Sequence, residues 1–116
     1  MSALLDELKS MGCDTEDALD RFLNNEEFFE QCLVKFLDDD VFETLGKNLS
    51  DQSIEDSFRS AHNLKGVCAN LGITPMYTAI YDMVEDLRGG MMPSDAMERY
   101  QQIIQLRDDI KKLLVK

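Results

Sequence analysis

The sequence predicts an all-α fold, an antiparallel four-helix bundle with short additional N-terminal helices, on three observations. Apolar residues recur three and four positions apart in every segment, the spacing that lines one face of a helix, and no segment alternates as a strand would. Most periodic segments start at a residue able to cap a helix and stop at glycine or asparagine. The connections are short, which sets successive helices antiparallel.

In chain order, Ser2 is placed to cap a short first helix that carries Leu4, Leu5, Leu8 and Met11 and closes at Gly12. Asp14 starts a second, with Glu16 and Asp17 in its first turn, Ala18, Leu19, Phe22 and Leu23 as its buried side, and Asn24-Asn25 as its end. Asn25 caps a third whose broad aromatic stripe is Phe28, Phe29, Cys32, Leu33, Phe36 and Leu37; at this spacing the aromatic residues read as core rather than as a binding groove. Asp40 with Glu43 three residues later makes a box-like start for a helix bearing Val41, Phe42, Leu45 and Leu49. Ser53, with Asp56 in the third helical position, opens the next, whose stripe is Ile54, Phe58, Ala61, Leu64, Cys68 and Leu71 and which Gly72 ends. Thr74-Pro75 begins another as cap and first helical residue, and its stripe of Met76, Ala79, Ile80, Met83, Val84 and Leu87 should fold back on the preceding helix before Gly89-Gly90 stops it. Ser94 caps a long last helix bearing Ala96, Tyr100, Ile103, Leu106, Ile110 and Leu113. Lys111, Lys112 and Lys116 then complement the helix dipole and need no basic-residue partner to explain them.

A chain of 116 residues can bury a real core, so residues 1–116 are read as one domain. A net charge of −11, from 23 acidic and 12 basic side chains, repels phosphates and so argues against nucleic acid and against an anionic membrane. Cys13, Cys32 and Cys68 stand far apart in no paired spacing, which points to neither a disulfide framework nor a zinc site and fits a reducing compartment. Acids interrupt the N-terminus where a secretory signal needs an apolar run, and no stretch is apolar enough for a membrane span, so a cytoplasmic protein is expected. Asp38-Asp39-Asp40 lacks the alternating acids and the glycine of a calcium loop and reads as capping rather than metal binding.

The chemistry concentrates around the single histidine. On a helix His62, Lys65, Gly66 and Ala69 share one face, which carries one imidazole, one ammonium and bare backbone. Taking 100° per residue, His62 lies roughly 110° from the centre of the apolar stripe, beside the core and facing out, while Lys65 lies closer and must run its stem over the apolar surface. A glycine inside a helix costs about 1 kcal/mol relative to alanine, so Gly66 needs a reason, and close approach of another body is one. A solvent-facing imidazole is largely neutral at neutral pH, which leaves one ring nitrogen with a lone pair for nucleophilic attack. Lys65 is placed to bind an anion attached to that nitrogen. There is no second histidine, no acid placed to orient the ring, no phosphate loop and no metal cage, so the pattern fits a carrier whose chemistry a partner completes better than a self-contained enzyme.

Ala61-His62-Asn63-Leu64-Lys65-Gly66, continued by Asn70-Leu71-Gly72, resembles the A-H-x-L-K-G-x-x-x-x-L-G signature of histidine-containing phosphotransfer (HPt) domains of phosphorelays. Met11-Gly12-Cys13-Asp14, Ala18-Leu19-Asp20-Arg21-Phe22 and Met83-Val84-Glu85-Asp86-Leu87-Arg88 are similar to the flanking helices of that family. The resemblance implies a four-helix bundle in which His62 is phosphorylated on the ring nitrogen farther from the backbone, Lys65 stabilises the phosphoryl group and Gly66 admits the partner receiver domain. Arg59 and Asn63 flank the same face as candidate docking residues, and Phe58 is placed to support the ring from one turn before. Val67 and Cys68 depart from the smaller or more polar residues usual at their positions, and Cys68 reads as inert core.

The function so implied is a phosphorelay intermediate that takes a phosphoryl group from a receiver-domain phosphoaspartate onto His62 and passes it to another receiver. It implies no catalytic kinase motif, no metal and no cofactor on this chain, with magnesium expected on the partner receiver. The expected partners are response-regulator receiver domains, with a hybrid histidine kinase as a further candidate. A monomer is expected, because one bundle accounts for the apolar stripes. The alternatives are the phosphoacceptor module of a chemotaxis-type histidine kinase, which would continue past Lys116, and a bundle that docks on a receiver without being phosphorylated.

Overall fold

Hydrogen-bonding side chains set where the helices begin. The computed structural model describes residues 3–114, which form α1 (Ala3–Ser10), α2 (Thr15–Arg21), α3 (Glu26–Leu37), α4 (Val41–Ser50), α5 (Ile54–Leu71), α6 (Thr74–Arg88) and α7 (Ala96–Leu114), with no strand among them. Three of the expected caps are in place. The Asp14 carboxylate accepts from the Asp17 amide at 3.1 Å, the Asn25 side chain from Phe28 at 3.0 Å and the Ser53 hydroxyl from Asp56 at 3.3 Å. Each satisfies an amide that the helix itself cannot, a contribution of about 1 kcal/mol per cap.

Three starts differ from expectation. At α4 the Asp40 backbone is already helical and its side chain caps nothing; Asp39 accepts from the Val41 amide instead, at 2.8 Å. At α6 the reversal at Gly72 puts Ile73 before the first turn, so Thr74 lies inside the helix with its hydroxyl on the Gly72 carbonyl, and Pro75 follows it. At α7 the Asp95 carbonyl accepts from the Arg99 amide, which makes Asp95 rather than Ser94 the residue before the helix. The Ser2 cap lies outside the described residues.

The end of α2 is also earlier than Asn24-Asn25. The helix stops at Arg21, and Leu23 and Asn24 take left-handed φ values of 55° and 61°. That turn throws Leu23 outward, 88% exposed, instead of onto the buried side.

Helices α4 to α7 close a ring: α4 packs on α5, α5 on α6, α6 on α7, and α7 back on α4. Its interior holds Phe42, Leu45 and Leu49 of α4, Ala61, Leu64 and Cys68 of α5, Ile80, Met83 and Val84 of α6, and Ile103 and Ile110 of α7. Burying a side chain such as Leu or Phe contributes about 1.5–3 kcal/mol, so these stripes dominate the stability. The N-terminal helices cover the ring: α1 lies on α7 and α2, α2 on α5, and α3 on α5 and α7. Within α3, Phe29, Leu33, Phe36 and Leu37 are buried as the stripe requires, whereas Phe28 is half exposed and meets the edge of Phe22 at 5.3 Å. All seven helices share one hydrophobic cluster.

At the seam between α4 and α7 a helical glycine is required by packing. A Cβ on Gly46 would stand 2.6 Å from the Tyr100 ring. Arg107 reinforces the seam, pairing with Glu43 at 3.2 Å while its guanidinium lies 5.2 Å over the Phe42 ring. Arg99 similarly joins α7 to Asp86 of α6 at 3.1 Å.

Burial of the cysteines gives a pH signature. Burial pushes the Cys13 thiol up to about 11 and the Cys68 thiol up to about 12, from an ordinary value of about 9.0. Tyr100 is also raised, first by burial and then by Glu43. These groups hold their protons more tightly folded than unfolded, so their contribution is complete below about pH 9 and is lost as pH climbs toward 11 and 12. The urea midpoint should therefore fall steadily above pH 9, and less steeply in Cys68→Ala. Separately, Gly46→Ala forces the Tyr100 ring aside and should lower stability by about 1 kcal/mol despite alanine's better helix propensity, measured by urea unfolding.

Candidate functional site

The site helix α5 is held in one rotation. Ala61, Leu64 and Cys68 are fully buried on its inner face. From α4 the Asn48 amide donates to the Ser60 hydroxyl at 2.7 Å and to the Asp56 carbonyl at 3.1 Å. From α2 the Arg21 guanidinium donates to the Ala69 carbonyl at 2.9 Å. With the helix fixed on three sides, the remaining side is the one that carries His62, Asn63 and Gly66, all exposed.

The imidazole of His62 stands in solvent with no hydrogen bond to a described residue. It stacks on Phe58, one turn earlier, with ring centroids 5.5 Å apart and planes 8° from parallel. One turn later Lys65 is partly buried along its stem, as its place near the apolar stripe requires, and its ammonium sits 5.4 Å over the Tyr81 ring of α6. Every arginine makes an ion pair. Lys65 makes none among the described residues, although the chain has nearly twice as many acids as bases. An unpaired ammonium beside an unpaired imidazole is the site's electrostatic signature, and it suits an incoming anion.

Gly66 differs from Gly46 in what surrounds it. A Cβ there would meet nothing within 4 Å, so no packing inside the chain calls for glycine. The space is open to something outside.

The other expected residues are placed differently from one another. Asn63 and Arg59 line a groove of about 280 Å³ together with Asp39, Asp40, Thr44 and Ser60, so the histidine face continues onto the start of α4. Arg59 is already held by Glu55 at 2.6 Å and Asp56 at 3.3 Å. Ala69 is only partly exposed and borders a cleft of about 190 Å³ with Asp17, Arg21 and Tyr77, at the α2 end of the face.

Two neighbours of the site are absent from the expectations, Tyr81 under Lys65 and Arg88 over Phe58. Both come from α6, and the helical period shows which residues of α6 turn inward without showing which of the others stand level with His62. The antiparallel pairing supplies that: Phe58 meets Arg88, and Lys65, farther along α5, meets Tyr81, farther back on α6. The length of the link at Gly72 was the available signal.

Among the described residues no three His, Cys, Asp or Glu side chains converge where a metal ion would sit. No helix among them is long and apolar enough to cross a membrane.

Residues 37–114 match the family model of the Hpt domain, a span that runs from the last residue of α3 through α7 and includes the whole four-helix ring. Comparison with curated proteins and with solved structures gave no match.

Because nothing meets a Cβ at Gly66, its substitution separates folding from docking. Gly66→Ala should raise stability by about 0.5–1 kcal/mol in urea unfolding, the opposite sign to Gly46→Ala.

Proposed function

As the chain belongs to the Hpt domain family, whose members are phosphocarrier modules of two-component signalling that interact with receiver domains, we propose that it is a phosphorelay intermediate with His62 as the phosphoacceptor. The observation that carries the reading is the exposed imidazole, without a hydrogen bond, one turn from an ammonium without an ion pair and from a glycine with open space beyond it. In this reading residues 1–116 act as one unit, a cytoplasmic monomer, and exchange a phosphoryl group between two receivers, with a hybrid histidine kinase as a further candidate partner.

The step proceeds through Nε2 of His62. Its lone pair forms the P–N bond as the P–O bond to the receiver aspartate breaks, the electron pair of that bond leaves with the carboxylate, and the Nδ1 proton passes to water. Lys65 then moves from Tyr81 to the new phosphoryl group. A cation over an exposed aromatic ring is worth about 0.5–1 kcal/mol, whereas a hydrogen bond to a charged group is worth about 1.5–3 kcal/mol, so the phosphoryl group wins the ammonium. Gly66 and Ala69 leave room for the receiver, and Arg59 and Asn63 meet it at the flank. In this reading the chain brings no cofactor of its own, and magnesium held by the receiver would neutralise charge on the transferring group.

Incubation with a phosphorylated receiver should place an acid-labile, alkali-stable label on the chain. Label that persists in His62→Gln would overturn the assignment. Lys65→Ala should slow transfer by about tenfold while leaving the label on His62. Gly66→Leu, which fills the open space, should slow transfer from a receiver far more than phosphorylation of His62 by phosphoramidate, a donor small enough to need no docking surface.

A further inference from the structure

We propose that Phe58 is a positioning residue for this transfer, holding the His62 imidazole in one plane, and that Arg88 holds Phe58 in turn. The inference rests on the carrier reading of His62, and it assigns the orientation of the ring to a stack rather than to a hydrogen bond.

A nucleophilic histidine in a self-contained site is commonly oriented by an acceptor on its second ring nitrogen. Here no described residue hydrogen-bonds the ring. What restrains it is the Phe58 face, 5.5 Å away and 8° from parallel. Phe58 itself sits at the rim of the core, half-buried, while Ala61 and Leu64 of the same helix are fully buried. A ring at the rim needs its own restraint, and α6 supplies one. The Arg88 guanidinium lies 5.2 Å over the Phe58 ring, and Arg88 Nε donates to Glu85 at 2.9 Å. The result is a relay of contacts from Glu85 through Arg88 and Phe58 to His62, spanning two helices.

The chemistry favours this means of restraint. The lone pair of Nε2 lies in the plane of the imidazole, so covering a face of the ring leaves the nucleophile open. Rotation about the bond to the ring, by contrast, sweeps that lone pair away from the line of attack. Fixing the plane in advance removes part of the orientational entropy otherwise lost when the P–N bond forms and the P–O bond to aspartate breaks.

The test uses the full chain with Phe58→Leu, Phe58→Tyr and Arg88→Gln, and two readouts. The first is single-turnover transfer from a phosphorylated receiver, with the maximal rate separated from the half-saturating concentration. The second is NMR of the His62 ring protons in the unphosphorylated chain. Phe58→Leu should lower the maximal rate by about tenfold, with half-saturation unchanged, and move the ring protons downfield as the aromatic ring current is lost. Phe58→Tyr should restore both. Arg88→Gln, at an exposed site that does not threaten folding, should slow transfer by about two- to threefold with unaltered melting. A wild-type maximal rate in both Phe58→Leu and Arg88→Gln overturns the inference while the carrier reading stands. So does an equal loss in Phe58→Leu and Phe58→Tyr. Should Phe58→Leu fail to fold, Arg88→Gln decides the matter alone. Absence of label on wild-type His62 overturns the carrier reading instead, and the proton shifts still report whether the stack orders the ring.

Discussion

The reversal at Gly72 is the constraint on which the site depends. Its φ of +69° is left-handed, and a Cβ there would run into the Asp14 carbonyl and Ala18. The same residue accepts a hydrogen bond from the Asp14 amide at 2.8 Å, while the Ile73 amide closes onto the Cys68 carbonyl at 3.0 Å. One glycine therefore ends α5, turns the chain into α6 within two residues, and fastens the corner between α1 and α2 to the same point. A longer or looser link would let α6 slide along α5. The pairings of Lys65 with Tyr81 and of Phe58 with Arg88 would then be lost, although both lie well away from the turn.

Charge organises the surface around that frame. In this acidic chain each arginine has an ion pair, as do Lys9, Lys47 and Lys111, whereas Lys35, Lys65 and Lys112 have none among the described residues. Most of these pairs are exposed and contribute about 0–1 kcal/mol each. Their effect on the site is indirect: they occupy the strong cations elsewhere, whereas Lys65 rests on an aromatic ring that offers no carboxylate. A weakly held ammonium next to the imidazole is available to an anion in a way that Arg59, clasped by Glu55 and Asp56, is not.

The fold was legible wherever burial decides. The stripes of α4, α5 and α6 lie inside the ring because periodic apolar residues have one stable place to go, and Asp14, Asn25 and Ser53 cap because their side chains have no competing partner. The misplaced caps share a cause. Asp39 displaced Asp40, Ile73 displaced Thr74, and Asp95 displaced Ser94, each by one residue, because the backbone of the preceding turn chooses among adjacent candidates. At the site, the exposed placement of His62 and the lean of Lys65 toward the core followed from helical angle alone. Tyr81 and Arg88 did not, since they depend on the register between two helices. Phe58 was visible as a neighbour of the ring, but its near-parallel stack needed coordinates.

The tight contact between Gly46 and Tyr100 has a mechanical consequence. With α4 backbone pressed against an α7 ring and Arg107 spanning the same seam, the two helices interlock and resist sliding past each other. A seam locked in this way favours one shape for the scaffold. On the proposed carrier reading, a partner distinguishing loaded from empty would read a local gain of negative charge beside Lys65 rather than a change of form.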